Sequence, residues 1–186
     1  VLEKKQINTV DYWDKKWSDK KLGGKYGQNQ YYFLESHLPK EAFSCLDLGC
    51  GRGAGIEFLA DARPGGLFWG IDFSDVAIAA AKAKLKRFND RVVFKCDDVY
   101  KMKLEDLQFD YILMIELLEH LRWPFQIVDR FLPICRKAIY ISIPAYNWDL
   151  PEHLYAYGSS ENPFERYGAE ILEQYRGRKK IVIRRK

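Results

Sequence analysis

The run Cys45-Leu46-Asp47-Leu48-Gly49-Cys50-Gly51-Arg52-Gly53-Ala54-Gly55, followed by Ile56-Glu57-Phe58-Leu59-Ala60, constrains this chain more than any other segment. Apolar residues enter it, glycines recur at every second position through Gly55, and an apolar run leaves it, which predicts strand, tight turn and helix. Glycines at 49, 51 and 53 let the backbone bend sharply and let a ligand lie against the main chain, because no Cβ intervenes. The N–H groups at the helix start then face that ligand. An ordinary turn needs fewer glycines.

The spacing Gly49-x-Gly51-x-x-Ala54 fits the loose dinucleotide pattern, a weak signal alone. Asp47 opposes that reading. A carboxylate at the strand end repels a pyrophosphate and attracts an ammonium or a sulfonium, and S-adenosylmethionine carries both. The segment Leu46 to Gly53 resembles the first motif of class I S-adenosylmethionine-dependent methyltransferases, with further matches from about Trp13 to Pro144. The resemblance implies a single domain of Rossmann-like methyltransferase fold. Asp47, Gly49, Gly51 and Gly53 would hold the S-adenosylmethionine, released as S-adenosylhomocysteine.

Taken in order, the chain divides into an arm (1–38), a cofactor-binding core (39–144) and a substrate-side loop with an edge strand (145–186). Trp13 and Trp17 are four apart and share a helical face, while Gly23, Gly24 and Gly27 flank Tyr26 in an expected flexible loop. This pattern is similar to the arm of thiopurine-type methyltransferases, which implies that Trp13, Trp17 and Tyr26 close over the cofactor. A peripheral helix docked by two aromatic anchors is the plainer alternative. A helix is expected from Gln28 to Leu38, ended by Pro39.

Leu67 to Asp72 reads as a second strand with an acid at its tip. Asp72 follows Gly51 by 21 residues, about where a βαβ unit places the acid that binds ribose hydroxyls. Gly70-Ile71-Asp72-Phe73-Ser74 resembles the family's second motif, which implies that Phe73 stacks on adenine. Ser74 caps an alanine-rich helix expected over Asp75–Phe88. A third strand, Val92–Cys96, exits into Asp97-Asp98-Val99, where the resemblance implies a carboxylate and a backbone N–H on the adenine. Asp98 aligns better than Asp97, because Met102 then falls at an expected apolar position.

Phe109–Ile115 is the continuous apolar run of a central strand, and the resemblance brings the backbone at Ile115 to the methionyl part. His120 follows, as either a hydrogen-bonded structural residue or a general base. His37, His120 and His153 show no metal-ligand spacing, so no metal is expected. Pro124 opens a helix to about Leu132, and Lys137–Pro144 is a fifth strand. The segment from Ala145 to Tyr167 is irregular and aromatic, and reads as a substrate-pocket wall with Tyr146, Trp148, His153 and Tyr155 as candidate contacts. His153 is the second candidate base. Ala169–Tyr175 is expected as a short helix and Lys180–Arg184 as a sixth strand, leaving no residues for a seventh.

Alternating strands and helices give a doubly wound, mostly parallel α/β sheet of order 3-2-1-4-5 with the sixth strand at its edge. Apolar residues make up 47% and charged residues 30%, within the soluble globular range, and no run reaches the length of a membrane helix. A cytoplasmic protein with reduced cysteines is expected. The net charge of +4 is uneven, with eight basic and two acidic residues in 166–186. A small-molecule acceptor is the leading reading, with nothing to indicate its oxygen, nitrogen or sulfur nucleophile. The basic tail keeps a nucleic-acid or protein methyltransferase as an alternative. Against the nucleic-acid reading, Ile115-Glu116-Leu117-Leu118 stands where amino-methylating nucleic-acid enzymes carry Asn/Asp-Pro-Pro-Tyr. A nucleotide-binding oxidoreductase or a non-catalytic cofactor-binding module is the third reading.

Overall fold

The computed structural model describes residues 7–19, 25–145, 150–155, 157, 162–175 and 177–185. Seven strands form one sheet in the order β3-β2-β1-β4-β5-β7-β6. The strands are β1 (Ser44–Leu48), β2 (Leu67–Asp72), β3 (Val92–Cys96), β4 (Phe109–Ile115), β5 (Cys135–Pro144), β6 (Glu170–Tyr175) and β7 (Arg178–Arg184). The first five run parallel, whereas β7 pairs antiparallel with both β5 and β6. The helices are α1 (Val10–Ser18), α2 (Lys25–Asn29), α3 (Ala54–Ala62), α4 (Asp75–Leu85) and α5 (Pro124–Phe131).

Successive side chains of a strand point to opposite faces, and here both faces are covered. Cys45, Tyr111, Leu113, Ala138, Tyr140 and Val182 pack into one buried cluster with Ile56, Leu59 and Leu85 of the helices. Leu46, Leu48, Ile112, Met114, Ile139, Ile141, Ile181 and Ile183 enter the other, with Ile127 and Phe131 of α5. Leu46, Ile112 and Ile139 are fully buried, each worth roughly 1.5–3 kcal/mol over an exposed position. A parallel sheet so covered exposes its carboxyl ends as the place for a ligand.

Three sequence expectations need correction. Residues 170–175 of the expected helix form strand β6 instead, and β7 begins at Arg178, so the seventh strand is present. Pairing with β7 overrides the local helix preference, and Gly177 at φ 76° turns the chain between the two strands. The helix expected over 28–38 is broken. α2 stops at Asn29 and includes Gly27, and Tyr32–Ser36 is a 3-10 turn, with the Leu34 N–H donating to the Tyr31 carbonyl at 2.9 Å. α4 ends at Leu85 instead of Phe88, because Asn89 takes a left-handed φ of 51° within a following 3-10 segment. Ser74 caps α4 as expected, its Oγ accepting from the Ala77 N–H at 3.1 Å.

Candidate active site

The glycine turn is built from backbone bonds to β2. The N–H groups of Gly49 and Cys50 both donate to the Ile71 carbonyl, at 2.8 and 3.0 Å, and Gly51 N–H donates to Asp72 Oδ2 at 2.9 Å. Gly49, Gly51 and Gly53 all hold positive φ, at 69°, 52° and 76°. Asp72 Oδ1 accepts from the Ser74 N–H at 3.0 Å, so this one carboxylate ties the turn to the start of α4. Burial raises the Asp72 pKa, and the N–H groups of Ser74, Gly51 and Phe73 pull it back.

Two cavities meet over this turn. The first, of about 220 Å³, is lined by Asp72, Phe73, Asp97, Asp98 and Val99 together with Tyr100 and Arg122. The second, of about 260 Å³, is lined by Cys50, Gly51, Ile115, Gln30, Lys16 and Arg178, among others. Gly49, Glu116, His120, Trp13 and Trp17 border both. The first cavity faces four acids, Asp72, Asp97, Asp98 and Glu116, against Arg122, whereas the second faces Lys16, Arg52 and Arg178 against Glu116. Several of these charges are already paired, Lys16 with Glu152 and Arg178 with Glu116, so the first cavity is the more acidic of the two.

The arm is the roof. Trp13 Nε1 donates to Asn8 Oδ1 at 3.1 Å, and Asn8 Nδ2 donates to the carbonyls of His120 and Glu152 at 2.9 and 2.8 Å. Lys16 pairs with Glu152, and Ser74 Oγ donates to Asp14, so the arm is pinned on both sides of the cavities. Tyr26 lies in α2, its side chain outside the described ones, and Gly23 and Gly24 lie outside the described residues.

Asp47 is not on the rim. It is fully buried, accepts from the Tyr31 hydroxyl at 3.0 Å and lines neither cavity. Burial pushes its pKa up to about 8, so it is no fixed anion, and the acid rim comes from Asp72, Asp97, Asp98 and Glu116 instead. Gly53 also lines neither cavity. A Cβ there would stand 2.9 Å from Phe94 Cζ and 3.3 Å from Ala81 Cβ, so its freedom serves packing of α3 against α4.

His120 lies between the cavities with its Nδ1 3.1 Å from the Glu152 carbonyl, and burial pushes its pKa down to about 4. His153 is buried and lines neither cavity; Tyr155 is 40% exposed and donates to the Arg122 carbonyl at 2.5 Å. Tyr155, like His153, lines neither of the two cavities. Tyr146 and Trp148 lie outside the described residues. Sequence reasoning missed Asn8, Lys16, Glu116 and Arg178. Glu116 sits at φ 53° and accepts from Arg178 Nε at 2.6 Å and Ser142 Oγ at 2.5 Å, a pairing across three strands that no local pattern signals. Folding brings ligand atoms of Glu119, His120 and His153 within 4.8 Å of one another, a proximity that the sequence spacing of the histidines does not signal.

Comparison with known proteins agrees with this geometry. The ubiquinone biosynthesis O-methyltransferase of Coxiella burnetii is 25% identical over 132 residues, 71% of this chain and 56% of that protein. The malonyl-[acyl-carrier protein] O-methyltransferase of Bacillus cytotoxicus is 39% identical over 81 residues, 43% of this chain and 27% of that protein. The match thus spans little more than half the length of the first relative and about a quarter of the second. Magnesium protoporphyrin IX methyltransferase from Synechocystis PCC 6803, solved with bound S-adenosylhomocysteine, superimposes with a TM-score of 0.71 at 15% identity, covering 97% of this chain and 95% of that one. Residues 45–137, half of the chain, match the methyltransferase-domain family, and the chain belongs to it, with the fold of class I S-adenosylmethionine-dependent methyltransferases.

Proposed function

We propose that this chain transfers a methyl group from S-adenosylmethionine to a small-molecule acceptor by in-line displacement. The observation that carries the reading is the meeting of two cavities over the glycine turn, both lined by Trp13, Trp17 and Gly49, with Asp72 and Asp98 lining the first. The residues present fit the cofactor. Asp72 would hold the ribose hydroxyls, Phe73 would offer a face to adenine, and Asp98 with the Val99 N–H would meet the adenine edge. Partners do not separate the two acids: Asp97 accepts from the Asp98 N–H at 2.9 Å and pairs with Lys95 at 2.6 Å, while Asp98 accepts from the Tyr100 N–H at 2.9 Å and pairs with Lys101 at 3.5 Å. The bound cofactor supplies a methyl activated by a sulfonium sulfur.

The chain's own part is alignment and exclusion of water. Trp13, Trp17 and Gly49 line both cavities, and Ile115 lines the second. Holding two reactants in line is worth roughly 7–11 kcal/mol in favourable cases. His120 is neutral at pH 7, and a group pushed to about 4 holds a transferred proton weakly.

The nucleic-acid alternative draws less support from the fold than from composition. Lys179 and Lys180 of the basic tail are buried in β7, and Lys180 donates to Ser142 Oγ at 2.7 Å. Calorimetric titration with S-adenosylhomocysteine against NADH tests the cofactor, and a screen of small acceptors with methyl-labelled cofactor tests the transfer. Binding of NADH in preference to S-adenosylhomocysteine would overturn the proposal. No helix among the described residues is long and apolar enough to cross a membrane, and we place the reaction in the cytoplasm.

A further inference from the structure

The cluster of Glu119, His120 and His153 has no part in the methyl-transfer reading. Glu119 and His120 come from the 3-10 turn after β4 (Leu118–His120), and His153 comes from the segment after β5. Glu119 is 1% exposed, and among the described residues neither carboxylate oxygen has a hydrogen-bond partner. A buried carboxylate without a donor is costly until a proton or a cation completes it.

The imidazoles stand where a cation would need them. The rings of His120 and His153 are 5.0 Å apart. His120 Nδ1 faces the Glu152 carbonyl, which can only accept, so Nδ1 carries the proton and Nε2 keeps its lone pair. That Nε2 lies 4.0 Å from Glu119 Oε1. A carbonyl on the far nitrogen is the usual orienting contact of a metal-bound histidine. The Leu154 N–H donates to the Glu119 carbonyl at 2.8 Å, which anchors the His153 segment to the same turn.

We propose that Glu119, His120 and His153 bind one divalent transition-metal ion of the zinc or cobalt type. Two imidazoles and one carboxylate are the donor set of such ions, whereas magnesium takes oxygen ligands. Ligands about 2.1 Å from a tetrahedral ion stand roughly 3.4 Å apart, so modest side-chain rotation closes the set. Glu116 is not a ligand, because Arg178 and Ser142 occupy its two oxygens. Three protein ligands leave a position for a further donor, and His120 lines both cavities, so the ion would stand beside the acceptor.

The test uses the full chain, stripped with chelator and titrated with cobalt(II) while visible ligand-field bands are recorded. One equivalent should bind with the strong bands of a low-coordinate site, zinc should displace it, and excess magnesium should not. Glu119→Gln and His153→Ala should each weaken cobalt binding by at least about tenfold, with His153→Gln as a second variant closer in size. Titration with S-adenosylhomocysteine reports that each variant is folded, and its failure in the parent chain would count against methyl transfer rather than against the metal. Absence of the bands, bands unchanged in both the Glu119 and His153 variants, or displacement by magnesium would overturn the proposal.

Discussion

The indole of Trp17 lies over Gly51 so closely that a Cβ built on the glycine would stand 2.6 Å from Cη2 of the ring. The arm and the glycine turn are thus fitted to each other without any ligand between them at that point. Gly51 also holds φ at 52°, a region that costs a residue with a side chain roughly 1–2 kcal/mol. Gly51→Ala should therefore displace the Trp17 indole, weaken S-adenosylhomocysteine binding in calorimetry and lower stability by more than that strain alone, while unfolding stays cooperative. Trp17→Ala in the same background should restore part of the stability by removing the clash, leaving the backbone strain. Full binding by Gly51→Ala would show that the turn is not the cradle.

Asp72 acts on the cofactor site in two ways, as a lining acid and as the tie between the turn and α4. Asp72→Ala leaves two N–H groups, those of Gly51 and Ser74, without their acceptor. Hydrogen bonds to a charged group contribute about 1.5–3 kcal/mol each. The variant should bind S-adenosylhomocysteine about 10- to 100-fold more weakly and melt at a lower temperature. Asp72→Asn keeps one acceptor oxygen and should fall between the two. Unchanged affinity in both would mean that the ribose hydroxyls are held elsewhere.

What the sequence made legible follows the range of each signal. The glycine turn, β1 to β5 and the acids after β2 and β3 are local patterns, and a few adjacent residues suffice to read them. β6 was misread because strand formation there depends on β7 and β5, whose pairing no window of Glu170–Tyr175 contains. Asp47 was misread for the converse reason. Its position at the end of β1 is local, but its burial is set by Tyr31, sixteen residues earlier, whose hydroxyl reaches it and whose ring packs so close that a Cβ on Gly55 would stand 2.2 Å away. The proximity of Glu119 to His153 is likewise invisible until the segment after β5 folds back.

The last prediction uses that corrected role of Asp47. Burial raises its pKa from an ordinary 3.8 to about 8, and the Tyr31 hydroxyl, which favours the charged form, offsets this only in part. The folded chain therefore keeps the proton where the unfolded chain has already released it. A raised folded-state pKa gives stability that is full below the unfolded value and is lost as pH climbs toward the folded one. Melting temperature should decline from about pH 4 to about pH 8 through this group. Asp47→Asn keeps an acceptor for the Tyr31 hydroxyl and carries no charge to release. It should flatten the decline and melt above the parent near pH 8, while S-adenosylhomocysteine affinity stays within about threefold, because residue 47 lines neither cavity. Parallel melting profiles for parent and variant would show that Asp47 is ionised in the folded chain, and a large loss of affinity would return it to the cofactor site.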